Sequence, residues 1–339
     1  MMEVIYDKDL TALNTFRMRV KAAAYVEYNS VDELREVLDN PDLPRPLLHI
    51  GGGSNLLFTK DFPGTILHSR IRGLIRKKDE GGVTVQVGAG ESWDQFCLWA
   101  ATEGLWGPEN LSLIPGEVGA AAVQNIGAYG VEVKDIISEV EVLDTLDDTT
   151  GVIEVGECGY GYRESHFKSD WKGRFIVLSV TFRLREEPAP RLSYGHVGEA
   201  MKAAYGDAPL TPLMIRDEII RIRRTKLPDV EDLGSAGSFF KNPFVDAEHC
   251  QDLIDIWPEV PHFPLPDGRE KIPAAWLIDK AGLKGATYGG AAIYKNQPLV
   301  IVNQSGTASP REILALEGKV IRTIRRRFGI TLSPEVEHI

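Results

Sequence analysis

The feature that most constrains the fold is a segment with almost no side-chain bulk, residues 113–130. It holds four glycines, four alanines and a single charged residue, Glu117. Residues of this kind let the backbone approach a ligand closely and bind it through its N–H groups. The same composition also suits a helix that packs tightly on a sheet, and both interpretations stay open. Because Pro115, Gln124 and Asn125 interrupt the apolar residues, the segment is not a membrane span.

A second glycine loop, residues 51–55, follows the apolar run 47–50. Two loops that expose backbone in one chain indicate a large cofactor that carries phosphate groups. The glycines do not fit the Rossmann pattern of a dinucleotide-binding loop. Residues 51–53 have the wrong spacing, and the pair Gly88 and Gly90, farther along the chain, lacks a third glycine. The loops suit instead a flavin dinucleotide whose pyrophosphate is held by backbone amides.

Composition sets further bounds on the class of protein. A chain of 339 residues is long enough for two or three domains. Its net charge of −11 argues against general nucleic-acid binding, although a nucleotide needs only a local basic pocket. The first ten residues carry three carboxylates and no apolar core, so we expect no signal peptide and a cytoplasmic location.

The cysteines and the histidines give no sign of a metal site or of an acyl-enzyme. Cys97, Cys158 and Cys250 lie far apart and lack the paired spacing of zinc or iron–sulfur ligands. We therefore expect buried free thiols and no metal. A Gly-x-Ser-x-Gly nucleophile elbow is also missing from the sequence.

Capping signals and hydrophobic periodicity predict an α+β layout with an exposed connection at residues 186–190. The helices are predicted at 31–38, 93–102, 212–226, 246–256, 273–281 and 310–328. The strands are predicted at 47–50, 66–68, 83–87, 140–143, 175–184, 238–240, 291–294 and 299–303.

Arg163 is a candidate for charge stabilisation, because it stands between aromatic residues in the segment 160–168. A guanidinium there can polarise a carboxylate or an enolate through charge-assisted hydrogen bonds. The alternative is a structural salt bridge with Glu164 or Asp170.

Ser238 is a candidate proton donor, because it directly precedes Phe239 and Phe240 in a segment of small residues. A turn serine that bonds its own backbone is the alternative. The basic run 221–226 suits a diphosphate or a solvated helix face. Glu335, taken alone, is most simply a solvated carboxylate.

Read in order, these segments resemble the UDP-N-acetylenolpyruvoylglucosamine reductase family of flavoenzymes. The resemblance covers nearly the whole chain and rests on residues 14–16, 51–58, 114–130, 160–168, 225–229, 237–243, 275–285 and 334–336. It implies an α+β fold in which a vanillyl-alcohol-oxidase/PCMH-type FAD-binding domain precedes a smaller α+β substrate-binding domain. The implied domains are 1–71 and 72–227 for FAD, 228–329 for substrate, and a tail, 330–339, that returns to the active site. Whether this tail also joins the first subdomain stays open.

The resemblance also implies the chemistry. NADPH reduces non-covalent FAD, and hydride then passes to C3 of the enolpyruvyl group. Arg163 and Glu335 match the residues that stabilise the enolate, and Ser238 matches the proton donor to C2. The expected FAD-binding residues are Gly51, Gly52, Gly53, Ser54, Asn55, Ile114, Pro115, Gly116, Gly119, Asn125, Gly127 and Tyr129. The expected substrate-binding residues are Tyr194, Arg223, Lys226, Asn242, Lys271 and Gln297.

Residues 191–195 resemble the subclass that closes a tyrosine-bearing loop over the substrate. Residues 120–122 depart from the family, since three alanines stand where hydroxyl-bearing residues and a proline are common. Two rival functions stay open: an oxidase of the same fold that acts on a small alcohol or hydroxy acid, and a sugar-nucleotide binding protein without turnover. We expect a monomer with a UDP-sugar and NADPH as partners, and no nucleic acid or membrane.

Overall fold

The computed structural model describes residues 3–79 and 82–339, which form two compact units. Unit 1 holds the described residues up to Lys8, together with Ala22–Gly52 and Pro63–Arg223. Unit 2 holds Asp9–Lys21, Gly53–Phe62 and Arg224–Ile339. Neither unit is continuous in sequence. The predicted domains 1–71, 72–227, 228–329 and 330–339 stay predictions.

Helices and strands alternate irregularly, as in an α+β protein. The helices are α1 (Val31–Asp39), α2 (Trp93–Thr102), α3 (Val118–Gln124), α4 (Val197–Tyr205), α5 (Pro212–Lys226), α6 (Ala247–Ile256), α7 (Ala274–Lys280) and α8 (Pro310–Phe328). The strands are β1 (Val4–Asp9), β2 (Lys21–Tyr28), β3 (Leu47–Ile50), β4 (Leu56–Leu57), β5 (Phe62–Ser69), β6 (Leu74–Asp79), β7 (Gly82–Gly88), β8 (Gly127–Ala128), β9 (Val131–Glu132), β10 (Ile137–Asp144), β11 (Thr149–Glu154), β12 (Phe175–Leu184), β13 (Gly234–Ser238), β14 (Phe244–Val245), β15 (Phe263–Pro264), β16 (Glu270–Lys271), β17 (Thr287–Tyr288), β18 (Ala291–Ile293), β19 (Val300–Asn303) and β20 (Glu337–His338).

Unit 1 contains two larger sheets. One has the strand order β1-β2-β5-β3, with β3 and β5 parallel. The other is antiparallel, with the order β11-β10-β12-β7-β6. Val83, Val85 and Val87 of β7 alternate towards the core, as a strand with one buried face requires. The rings of Phe96 and Phe182 stack there at 4.6 Å, which fixes α2 on this sheet.

Unit 2 is built on the sheet β13-β19-β18-β17 and on a smaller sheet, β14-β16-β15. Helix α8 buries a stripe at helical spacing that includes Val320, Ile324 and Phe328. The ring of Phe328 contacts Trp257 at 4.8 Å and Trp276 at 6.0 Å. The strand β20 pairs in parallel with β4, so the C-terminal tail completes this unit.

Local signals placed the helix ends correctly. Ser92 caps α2 by accepting a hydrogen bond from the Gln95 amide. Ser309 and Glu312 form the predicted capping box of α8, and Gly329 ends that helix with a φ of 71°. The other predicted helices are confirmed to within a residue or two at each end.

The predicted strand 238–240 is wrong. The strand β13 spans Gly234–Ser238, so Phe239 and Phe240 lie beyond its end. A register shift between Ser235 and Ser238 disrupts the ladder, and Gly237 within it has a φ of 70°. The helix α4 and the strands β1, β2, β6 and β11 were not predicted, nor were the two-residue strands β4, β8, β9, β14, β15, β16, β17 and β20.

None of the helices in residues 3–79 and 82–339 combines the length and the apolar character that crossing a bilayer requires.

Candidate functional site

The two glycine loops meet in unit 1. A Cβ placed on Gly52 would lie 3.3 Å from the Cα of Gly116, so the two backbones approach each other closely. A Cβ on Gly51 would lie 3.1 Å from the Cβ of Ala120, the first alanine of the unusual run 120–122. The segments that the sequence predicts for one cofactor therefore lie side by side.

Backbone donors remain available at this meeting point. Among the described residues, no acceptor bonds the amides of Gly52 and Gly116. Two amides in the first turn of α3 are already used, because Val118 donates to Glu91 at 2.9 Å and Gly119 donates to Ala89 at 3.0 Å. The amides of Gly52 and Gly116, in the two loops, stay open.

Two of the predicted cofactor glycines are also required by the packing of the protein itself. In unit 2, a Cβ on Gly53 would overlap the carbonyl of Leu13, and its φ is 64°. In unit 1, a Cβ on Gly119 would lie 2.8 Å from the Cβ of Ala89. Tight packing, the alternative that the composition left open, thus accounts for these two positions on its own. Gly127 is less constrained, because a Cβ there would lie 2.8 Å from Nη1 of Arg163, the far end of a flexible side chain.

Asn125 ends α3 in a left-handed conformation and is fully buried. Its side-chain amide donates to Gly161 at 2.8 Å, and its carbonyl accepts from the Lys134 amide at 3.2 Å. The side chain therefore links the glycine-rich segment to the segment that carries Arg163.

A charged network beside the glycine loops was missed from the sequence. Glu117, which precedes α3, accepts a hydrogen bond from His68 at 2.8 Å. The other ring nitrogen of His68 lies 2.7 Å from the hydroxyl of Tyr25, and that hydroxyl lies 2.7 Å from Glu27. Arg70 bonds Glu27 at 2.6 Å and holds the pKa of that carboxyl down at about 2. The one signal available was the lone charge of Glu117 among glycines and alanines.

Asp94 anchors the entrance to the glycine-rich segment. Its carboxylate accepts two hydrogen bonds from Arg216, at 2.6 and 2.8 Å, and one from the amide of Leu113 at 2.5 Å. Burial alone would raise the pKa of Asp94, but the hydrogen bonds from Arg216 and Leu113, together with the positive charge of Arg216, outweigh it and the pKa is lowered. Leu113 has a φ of 59°, which this anchor stabilises.

Arg163 lies against the segment that follows α3. Its Nη2 donates to the carbonyl of Gly127 at 2.5 Å, and its guanidinium lies 5.3 Å from the ring centre of Tyr162. Asp170 is one of the two salt-bridge partners that the sequence suggested for Arg163. Its Oδ2 lies 3.3 Å from Nδ1 of His166. Arg163 itself has a φ of 58°, an uncommon conformation outside glycine.

The predicted substrate residue Tyr194 packs on the same segment. A Cβ on Gly130 would lie 3.0 Å from the Cβ of Tyr194, and the rings of Tyr129 and Tyr194 meet edge to face at 6.4 Å. The side-chain amide of Asn110 donates to the backbone carbonyls of Tyr129 and Arg191. These two bonds connect the segment that carries Tyr129 with the segment that carries Tyr194. Tyr194 still exposes about half of its surface, 52%.

Arg223 lies at the end of unit 1, where its charge acts on Tyr129. Burial lowers the pKa of Arg223. Its Nε is buried and meets no hydrogen-bond acceptor among the described residues. Lys226, at the end of α5, is exposed and belongs to unit 2.

The segment that follows Ser238 pairs in unit 2 with the segment that carries Glu335. Ser238 ends β13 opposite Val300. Phe240 bridges to Pro334, and the Lys241 amide donates to Ser333 at 3.0 Å. Phe239 and Phe240 are fully buried, with ring centres 5.1 Å apart, so water is scarce on this side of Ser238.

The tail that carries Glu335 is firmly held. The side-chain amide of Asn55 donates to the carbonyl of Glu335 at 3.0 Å, and the Glu337 amide donates to Asn55 at 3.0 Å. Asn55, a predicted cofactor residue, thus uses its side chain on the tail. Glu335 is partly buried rather than a fully solvated carboxylate.

Two of the remaining substrate candidates, Asn242 and Lys271, lie on neighbouring segments of unit 2, because Phe244 pairs with Lys271 and the Ile272 amide donates to Pro243. Asn242 accepts a hydrogen bond from the Ala274 amide at 2.9 Å, at the start of α7. Lys271 lies on β16, with its Nζ 5.5 Å from the ring centre of Phe263. Gln297 lies in the turn between β18 and β19, where its carbonyl accepts from the Val300 amide.

All three cysteines are buried and free, as predicted. Burial raises the pKa of each thiol, to about 11 for Cys158. These thiols are therefore poor nucleophiles.

Comparison with known proteins gives the family. Residues 228–339 match the profile of the UDP-N-acetylenolpyruvoylglucosamine reductase C-terminal domain, and residues 22–151 match that of an FAD binding domain. A relative from Bacteroides fragilis, named UDP-N-acetylenolpyruvoylglucosamine reductase, is 46% identical over 97% of this chain and 98% of its own length. The chain belongs to the UDP-N-acetylenolpyruvoylglucosamine reductase family. A relative of the same name from Chromobacterium violaceum is 43% identical over 97% of each chain.

A solved structure agrees with this family. The UDP-N-acetylenolpyruvylglucosamine reductase of Thermus caldophilus matches with a TM-score of 0.67 at 26% identity, over 100% of this chain and 98% of that one. The predicted family and the predicted fold class, an FAD-binding domain followed by a second α+β domain, are therefore confirmed.

Proposed function

We propose that this chain reduces the enolpyruvyl group of UDP-N-acetylenolpyruvoylglucosamine to give UDP-N-acetylmuramate, a step of peptidoglycan precursor synthesis. NADPH and one proton are consumed, and NADP⁺ is released. A hydride adds to C3 of the enolpyruvyl group and a proton adds to C2, so the carbon–carbon double bond becomes a single bond. The reductases named above, similar over their full length, support this assignment.

The glycine loops fit FAD. Gly52 and Gly116 bring two stretches of backbone together, and their amides have no acceptor among the described residues. Donors of this kind suit the pyrophosphate of a dinucleotide. Bound there, FAD would supply the hydride chemistry by accepting a hydride from NADPH and passing it to the substrate. We infer that Ile114, Pro115 and Tyr129 contribute to the same site.

In our proposal the chain supplies charge stabilisation and a proton. Addition of hydride at C3 leaves negative charge on C2 and on the adjoining carboxylate. We assign the guanidinium of Arg163 to that carboxylate, because a fixed cation stabilises an enolate more than the neutral substrate. We assign Glu335 to the same enolate and Ser238 to proton delivery at C2.

The observation that carries the proposal is the pairing of residues 333–335 with residues 239–241. This pairing brings the backbone of the acidic candidate beside that of the hydroxyl candidate, although they are distant in sequence. An isolated turn serine and a solvated tail glutamate would need no such pairing. We also infer a cytoplasmic, monomeric enzyme, with Tyr194, Arg223, Lys226, Asn242, Lys271 and Gln297 contacting the UDP-sugar.

An absorption spectrum and an assay test the proposal together. We expect the purified chain to be yellow and to consume NADPH only when UDP-N-acetylenolpyruvoylglucosamine is added. Formation of UDP-N-acetylmuramate, followed by mass spectrometry, identifies the product. A yellow protein that reacts rapidly with oxygen but not with this substrate would favour the oxidase. A colourless protein that binds the UDP-sugar would favour the binding protein.

A further inference from the structure

Three side chains with different metal-ligand chemistry converge in unit 2. Cys250, His262 and Glu270 each offer one ligand atom, and these atoms all lie within 4.8 Å of one another. Nδ1 of His262 lies 3.1 Å from Oε2 of Glu270. None of the three belongs to the residues assigned above to FAD or to the UDP-sugar.

The fold, rather than sequence spacing, brings these residues together. Cys250 lies on α6, Glu270 lies on β16, and His262 directly precedes β15. Because β16 is the central strand of its small sheet, paired with β14 and β15, Glu270 is held in place from both sides. The cluster therefore joins a helix to a sheet.

Burial differs across the cluster in a way that suits a metal site. Cys250 is 2% exposed, so its sulfur lies on the inner side. The side chain of His262 is 39% exposed and that of Glu270 is 18% exposed, so solvent reaches the cluster from the histidine. An ion can therefore reach the sulfur past the imidazole.

We propose that Cys250, His262 and Glu270 bind one divalent transition-metal ion of the zinc class. A thiolate and an imidazole prefer such ions over Mg²⁺ and Ca²⁺, which take oxygen ligands. Three protein ligands leave a fourth tetrahedral position open to water or to a small anion. The site would link α6 to the sheet β14-β16-β15.

The proposal does not depend on the proposed reductase activity. Lys271 follows Glu270 directly on β16, and successive side chains of a strand point to opposite faces. The Nζ of Lys271 accordingly lies over the ring of Phe263 rather than in the cluster. Metal binding can thus be measured by itself, whether or not the chain turns over a UDP-sugar.

The competing explanation is an ordinary surface pair of His262 and Glu270 beside an inert thiol. The chain offers a matched comparison for this explanation. His196 lies 2.9 Å from Glu199 on the surface of unit 1, without a cysteine. Cys158 supplies a second buried thiol, which donates to the carbonyl of Glu154.

The test is equilibrium dialysis of the flavin-loaded full chain, stripped with EDTA, against Zn²⁺, with the bound metal counted by mass spectrometry. We expect one Zn²⁺ per chain, with a Kd of about 1 µM or tighter. His262→Ala, at an exposed position, and Cys250→Ser should each weaken binding by at least about tenfold. His196→Ala and Cys158→Ser should bind as the parent does. Circular dichroism confirms that each variant is folded.

Thermal unfolding gives a second measurement. Because an ion that binds only the folded state stabilises it, Zn²⁺ should raise the melting temperature of the parent and of the two control variants. It should not raise that of His262→Ala. Failure of the parent to bind Zn²⁺ in the micromolar range would overturn the proposal, as would unchanged binding by folded His262→Ala and Cys250→Ser.

Discussion

The backbone amide of Glu335 donates a hydrogen bond to the carbonyl of Phe239 at 2.8 Å, directly after Ser238 in the chain. The two candidates for proton delivery and enolate stabilisation in unit 2 are therefore held by one short stretch of pairing. This arrangement makes their roles separable by substitution, since the backbone bond survives a change of either side chain.

Ser238→Ala should separate the two halves of the reaction. Reduction of the bound flavin by NADPH needs no proton delivered to carbon, so this half-reaction should stay near the parent rate. Turnover of the enolpyruvyl substrate should fall by about 10²–10⁴, the usual contribution of a general acid. Rapid mixing, followed at the flavin absorbance, measures each half.

Ser235→Ala is the matched control, because Ser235 is a buried serine of the same strand. It should leave both halves near the parent rate. Equal damage to both halves in Ser238→Ala would mean that Ser238 shapes the pocket, and no damage would make it a turn serine.

Arg163→Lys keeps a positive charge but loses the planar fork that bonds a carboxylate at two points. We expect kcat/KM for the enolpyruvyl substrate to fall by about 10²–10³. Arg174→Lys is the control, since Arg174 makes a two-point contact with Asp144 elsewhere in unit 1. Parent-like turnover by Arg163→Lys would give the guanidinium a structural role, such as its hydrogen bond to the carbonyl of Gly127.

Gly52→Val should give a folded protein that contains little flavin. The new side chain would press on the backbone of Gly116, which already lies 3.3 Å from the position of a Cβ. Gly151→Val is the control, because a Cβ there meets no described atom within 4 Å. The flavin-to-protein absorbance ratio measures the loss, and an unchanged ratio would remove this loop from the cofactor site.

The buried carboxyl of Glu317 should make stability depend on pH. Burial raises the pKa of Glu317 from 4.5 to about 7, and its Oε2 accepts no hydrogen bond from the described residues, although Nε2 of His338 lies 3.3 Å away. The folded protein therefore holds the proton of Glu317 more tightly than the unfolded chain does. The contribution of this proton to the free energy of unfolding is complete below pH 4.5 and is lost as the pH rises towards 7.

Glu317→Gln mimics the protonated carboxyl. The variant should therefore be as stable as the parent at low pH and more stable than the parent above neutral pH. We expect a gain of about 1–3 kcal/mol in the free energy of unfolding at high pH. Urea midpoints at both ends of this range measure the gain. Glu248→Gln, at an exposed position of α6, should show no such difference. A gain that is equal at all pH values would show that Glu317 is not protonated in the fold.

Sequence reasoning succeeded where the signal was local. The ends of α2 followed from Ser92 and Gly104, and the ends of α8 followed from Ser309 and Gly329, because caps act within one turn of a helix. The motifs that carry the family resemblance are also short and continuous.

Contacts between residues that lie far apart in the chain could not be predicted from the sequence. The end of β13 at Ser238 depends on a bulge and on pairing with the tail, which no local pattern reveals. The contact of His68 with Glu117, and the convergence of Cys250, His262 and Glu270, likewise arise only when separate elements pack. Glycines were ambiguous for another reason: Gly53 and Gly119 are required by neighbouring protein atoms, whatever else binds there.

The parallel pairing of β4 with β20 has a consequence for the order of events during synthesis. Asn55 must wait for Glu335, which is made 280 residues later, before their hydrogen bond can form. Until then β4, within the early segment Gly53–Phe62, lacks the partner strand that it has among the described residues. Pairing between strands that are so far apart in the chain is slow. Meanwhile the unpaired edge of a strand favours association with other chains. We therefore expect newly made chains to keep one open strand edge, at β4, until the tail has been made.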